Sequence, residues 1–429
     1  MKKIITILSL SLLIFNPVFA DKYPKLKDPV KSISGSIKKL KVPGKIDLKD
    51  YTVKNPGYKI YIDVAKRRAE LKGYKNNYRL CKPFKNIELF PSMPEIGGHK
   101  WKQEGASPID FINFAEPMIE NMNKLVRGWL SSGDIFYLDK MKEQILLWSK
   151  ENAFNVLISD GYNSEWETDF AYIDTLENVR QTLVGMLIAF DVLRQEKALT
   201  PEEDKIIYDW FEKIVAKTSI GTNDGAKDKM PPGNHTEASK ARIYTLWGIL
   251  SGDDKYFQAG LKFYGIALNV TRKDGSSRHE IRKQKGKSNR SKRGLLKMTQ
   301  VVGGMVMIAE VFANQGYDLY SFETKKGVTV HTMVDFLITY IGYPKSGAKK
   351  KAYIDPEIMD TKRILRKTGI NDNTLGWAHA YVKRFPNKET TKKLIKYYLE
   401  PYGWSRYIQN SGGFGMHMSC AYANINKIK

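Results

Sequence analysis

The chain has 429 residues, and its 70 lysines and arginines against 46 acidic residues give a formal net charge of +24. That balance points to an anionic partner and argues against an acidic or charge-neutral scaffold. Two cysteines and six scattered histidines, with no HExxH or CxxC spacing, offer no metal-ligand pattern, so no structural zinc, no other metal and no cofactor are expected.

Lys2 and Lys3 precede an apolar run from Ile4 to Phe15, and Val18-Phe19-Ala20 closes on a small residue before Asp21. This is the pattern of a cleavable secretory signal, so residues 1–20 are expected to be removed and the protein to be periplasmic or secreted. The run is short for a bilayer and no later stretch of adequate length is free of charge, so no membrane span is expected. Without Lys2 and Lys3 the mature chain keeps 68 basic residues against 46 acids, a net charge of +22. Nucleic acid is an unnatural partner outside the cell, whereas an acidic polysaccharide fits. In an oxidising compartment Cys81 and Cys420 could form one disulfide joining the two ends of the mature chain.

Residues 21–56, rich in Lys, Pro and Ser, read as an extended N-terminal arm, and residues 57–429 as one helical domain, expected to be monomeric. Phe111, Phe114, Met118, Met122, Leu125 and Leu130 form one apolar face, which predicts a helix from Pro108 to Leu130. Helices from Ile135 to Trp148 and from Leu176 to Leu193 follow. Thr200-Pro-Glu-Glu203 then supplies a cap, a proline and an acidic first turn for the next. Further helices are predicted at 236–250, 254–270, about 293–315, 328–341, 356–368, 373–383 and 388–400. Strand signals are sparse. Many helices of ordinary length joined by short turns suggest antiparallel pairs curling into a toroid or solenoid, and no fixed-period repeat is present.

Two stretches carry chemistry. In Met230-Pro-Pro-Gly-Asn-His-Thr-Glu237 the prolines and glycine cannot continue a helix, so the chain turns and delivers Asn234 and His235 to a helix mouth. The same spacing suits an N-cap, because Asn234 with Glu237 three residues on has capping-box form. The second stretch, Asp274 to Lys297, holds Arg278, His279, Glu280, Arg282, Lys283, Arg290, Arg293 and Lys297. Arg forks can grip carboxylates bidentately, although such a run can equally be a solvated loop.

Together these residues carry a resemblance. Asn234-His235 opening a helix, the Asp274-Gly275 turn, Glu280, Arg290-x-x-Arg293-Gly-Leu, Ile308-Ala-Glu310 and Gly316-Tyr-Asp-Leu-Tyr320 are similar to the alginate lyase domain of polysaccharide lyase family 5. Gly376-Trp377 and Tyr381-x-x-Arg384-Phe-Pro386 extend the likeness. The resemblance implies an all-α fold, an incomplete (α/α) toroid with a long cleft, and β-elimination of polymannuronate in the periplasm. It places Asn234 and His235 on the family's Asn-His pair and Arg290 on its carboxylate-neutralising arginine. Thr236-Glu237-Ala238 stands where the family has Ser-Tyr-Trp, and the family's catalytic tyrosine falls on Lys297, which bears on uronate specificity.

The chemistry asks for the same parts. A uronide loses its C5 proton as the O4 group departs, and its charged carboxylate opposes the developing carbanion, so fixed positive or donor groups must neutralise it. Asn234 and Arg290 are candidates for that role, His235 for the base, and Lys297 for the acid in the arrangement the resemblance implies, or for the base if nearby arginines lower its pKa. Arg282, Arg293, Tyr244 and Trp377 are candidates for substrate binding, with core packing the other reading of Tyr244 and of Trp247. A non-catalytic binder of acidic polysaccharide is the alternative. A glycoside hydrolase would instead need paired carboxylates, for which Asp160, Glu165, Glu167 and Asp169 are available.

Overall fold

The computed structural model describes residues 28–72, 81, 83–84, 87–91, 95–96, 108–154, 156–157, 169–218, 231–281, 294–341, 375–399 and 416–423. The principal helices are α1 (Pro29–Ser32), α2 (Val64–Lys72), α3 (Pro108–Ser132), α4 (Ile135–Lys150), α5 (Asp169–Gln195) and α6 (Pro201–Lys217). They continue with α7 (His235–Ser251), α8 (Asp254–Val270), α9 (Gly294–Asn314), α10 (Val330–Ile341), α11 (Trp377–Arg384), α12 (Glu389–Leu394) and α13 (Met418–Tyr422). Two short pairings complete the described structure, Leu40–Val42 antiparallel to Glu323–Thr324 and Glu95–Ile96 parallel to Val156–Leu157. The predicted helix at 356–368 lies outside the described residues. The predicted start at Leu176 is late, since α5 begins at Asp169.

Local chemistry sets the helix ends. Thr200 and Glu203 form a reciprocal capping box at α6, each side chain bonded to the other's backbone N–H, with Pro201 in the first turn. α7 ends at Gly252 and Asp253 caps α8 two residues later, so the two helices run antiparallel. Helices α3, α5, α7, α9 and α11 neighbour one another in turn, and α13 touches both α11 and α3, returning the series to its start. Helices α4, α6, α8 and α10 back onto this inner series.

Of the inner helices, α7 and α9 are buried along most of their length. From Thr236 to Leu250 every residue of α7 is buried, so its apolar spacing marks only part of its contacts. α9 is long and apolar enough to cross a bilayer by composition, yet 83% of its apolar window is buried inside the fold. Its two charges, Lys297 and Glu310, both have work in the folded protein. α7 and α9 pack at the limit of approach: a Cβ on Gly304 would lie 3.0 Å from the Cβ of Ala238.

The described part of the N-terminal arm is a strap. Val53 N–H donates to Asp254, the N–H groups of Lys54 and Asn55 to Gln315, and Lys240 Nζ to the Ser32 carbonyl. At the ring's closure Cys81 and Cys420 form a disulfide with Cα atoms 4.9 Å apart. Arg67 on α2 donates to the carbonyls of Cys420, Ser419 and Ala423. Buried cations need such acceptors, because an unpaired charge in a core is costly.

Candidate active site

The turn before α7 places the first candidate residues. Gly233 sits at φ +75°, and a Cβ there would lie 3.2 Å from the Ala267 backbone, so the chain can pass this close to α8 only as glycine. Asn234 then caps α7, its side-chain oxygen accepting from Glu237 N–H at 2.9 Å. The other half of a capping box does not form. Glu237 turns instead to accept from Gly233 N–H at 3.1 Å and from Ser34 N–H at 2.8 Å. The buried Glu237 thereby ties the strap to the turn carrying Asn234 and His235.

His235, the first residue of α7, is held by Glu280. One carboxylate oxygen accepts from the His235 backbone N–H and lies 2.9 Å from ring Nδ1. The His235 side chain is 14% exposed and that of Glu280 is 5% exposed. Burial pushes the Glu280 carboxyl up, but the contacts with His235 and the nearby Lys297 charge outweigh it and hold the group below its usual range. An ionised carboxylate can only accept, so Nδ1 carries a proton and neutral His235 keeps its lone pair on Nε2.

Lys297 lies in the first turn of α9, half-buried and near enough for its charge to act on Glu280. Gln300, one turn further, is also half-buried, while the next twelve residues of α9 are buried. Sequence reasoning quoted Glu280 but gave it no role. The Asp274-Gly275 turn was the available signal for Glu280, since it folds the chain back onto α8, with a Thr271–Ser277 bridge, just before that residue.

Arg282, Arg290 and Arg293 lie outside the described residues, as do the side chains of Asp160, Glu165, Glu167 and Asp169. Two substrate-binding expectations are corrected. Tyr244 is fully buried, its hydroxyl accepting from Ser32, and packs edge-on to Tyr256. Trp377 is fully buried against Tyr381. Neither ring can stack on a sugar, because no face reaches solvent. Glu310, Tyr320 and Arg384 form a structural cluster: the Tyr320 hydroxyl and Arg384 Nη2 each donate to Glu310 at 2.8 Å. Among the described residues no group of His, Cys, Asp and Glu is arranged to hold a metal.

A sequence model of the alginate lyase family matches residues 115–346, more than half of the chain. The chain belongs to the alginate lyase family. It is a polysaccharide lyase. Its fold is shared with alginate lyase A1-III from Sphingomonas species A1, at TM-score 0.63 and 16% identity over 89% of this chain and 100% of that one. A variant of A1-III complexed with tetrasaccharide aligns at TM-score 0.65 and 17% identity, covering 89% of the lyase and 99% of that chain. An alginate lyase from Bacteroides ovatus aligns at TM-score 0.56 and 15% identity over 86% and 99% of the two chains. Functionally curated proteins give no match. The shared architecture is the expected all-α toroid of antiparallel helix pairs.

Proposed function

We propose that this lyase is exported and cleaves an anionic polyuronate, alginate or a related uronan, by β-elimination, with His235 as base and Lys297 as acid. The contact between His235 Nδ1 and Glu280 carries the reading, because it leaves Nε2 as the basic nitrogen at a helix mouth. In the step, Nε2 takes the C5 proton, the C5 electron pair forms the C4–C5 double bond, and the C4–O4 bond breaks. The Lys297 ammonium protonates the departing O4. The imidazolium formed is balanced by Glu280. Asn234 and Arg290 are assigned to the substrate carboxylate, with Arg282 and Arg293 binding flanking uronates. A net charge of +24 suits a polyanionic substrate. Export is supported by the signal-like residues 1–20 and by the Cys81–Cys420 pair.

The test is ultraviolet absorbance of unsaturated uronate ends with polymannuronate, polyguluronate, polyglucuronate and a glycosaminoglycan. A rise on one polymer, lost in His235→Ala, identifies the substrate. A flat trace on all four would defeat the uronan reading.

A further inference from the structure

We infer that a second site, for a carboxylated sugar, lies at the opposite end of the ring from His235. The choice of a sugar rests on the polysaccharide lyase reading; the site itself rests on geometry. α9 carries Lys297 in its first turn and Glu310 in its last, a separation of about 20 Å at 1.5 Å per residue. At that far end a cavity of about 320 Å³ opens where α2, α9, α11 and α13 meet.

The lining favours a carboxylate. Its acids are already engaged: Asp63 by Lys59 at 2.9 Å, Glu70 by Arg67 at 2.7 Å, and Glu310 by Arg384 and Tyr320. The cations are less fully used. Lys66 has no carboxylate partner among the described residues, and Lys383 lies a loose 3.9 Å from Glu70 with its side chain 41% exposed. Arg384 completes the basic rim. Tyr61 also lines the cavity; it is 4% exposed, and its hydroxyl has no partner among the described residues. Tyr422, 4% exposed, also lines the cavity.

Such a site anchors a polymer while another stretch of it occupies the catalytic end, so it acts only on chains long enough to reach both. The double variant Lys66→Glu/Lys383→Glu should raise KM for long polyuronate about fivefold and leave kcat and short-oligomer kinetics unchanged. Lys45→Glu/Lys49→Glu makes the same charge change on exposed arm residues and should have little effect. Lys66→Gln/Lys383→Gln, a milder change, should follow the first pair and guards against misfolding. In His235→Ala protein, calorimetry with uronate oligosaccharide should count two sites, one of them lost in the Lys66/Lys383 background. A single site insensitive to those changes, or an equal KM rise in both charge-reversed pairs, would overturn the inference. Absence of any binding together with absence of elimination would overturn the uronan reading as well.

Discussion

Glu280 holds His235 at two points, accepting from its backbone N–H and from ring Nδ1, each at 2.9 Å. One oxygen thus fixes both the helix start and the imidazole. His235→Ala should abolish elimination. Glu280→Gln should lower kcat by about 10² or more with little change in KM, as losses of a tautomer-fixing partner do elsewhere. Initial rates of unsaturated-end formation decide it, and full activity in the Glu280 variant would show the contact to be structural only.

Lys297 separates two roles. Lys297→Ala should cost about 10² to 10⁴ in kcat if the ammonium donates the proton. Lys297→Arg keeps the charge but cannot release a proton near neutral pH, so it should stay slow. Recovery of rate with arginine would mean that this position supplies charge alone.

Glu237 joins the strap to the catalytic turn through Ser34 and Gly233. Glutamine keeps one acceptor oxygen, so one of these buried N–H groups loses its partner. Glu237→Gln should therefore cost roughly 1–3 kcal/mol, read as an earlier urea midpoint, and should also slow catalysis by loosening the turn. Unchanged stability would remove the strap from the account.

The Cys81–Cys420 bridge spans 339 residues of sequence. Closing so long a loop should stabilise the fold by roughly 2–5 kcal/mol. Cys81→Ser and Cys420→Ser should lower the thermal midpoint equally, and the double variant no further. Additive losses would show that the cysteines act by packing and not as a bond.

His379 is buried beside Arg67, and burial chiefly, with that like charge adding, pushes its pKa down to about 4. The folded protein then binds fewer protons than the unfolded chain between pH 4 and 6.5, so stability is present above pH 6.5 and falls as pH drops. About 2 kcal/mol should be lost from this group between pH 7.5 and 5. Asp191 works in the opposite direction, since burial raises its pKa to about 6. Comparing His379→Asn with the parent cancels that term. Urea unfolding at the two pH values should show a shallower pH dependence in the variant, and equal dependence would exclude His379 as the acid-labile group.

Helix positions were largely readable because their causes are local. Thr200 with Glu203 and the prolines before Asn234 announce their ends, and α3 shows one clean apolar stripe. Tyr244 and Trp377 misled because an inner helix is covered on all sides, so an aromatic at helical spacing looks the same whether it faces core or cleft. Glu280 went unassigned because its partner is 45 residues away, and only the fold closes that distance. The attachments of the N-terminal arm were not legible for a similar reason. Its polar sequence satisfies backbone groups against Glu237, Asp254 and Gln315 instead of burying an apolar face.

The contact between Gly304 and Ala238 sets the gap between the helices that carry Lys297 and His235. Ala238 is one turn from His235, and Gly304 lies two turns down from Lys297. A bulkier residue at 304 would wedge the helices apart and lengthen the reach between His235 and Lys297 without touching a sugar. The width of the proposed catalytic mouth is thus gauged from within the wall, by the absence of a single methyl group.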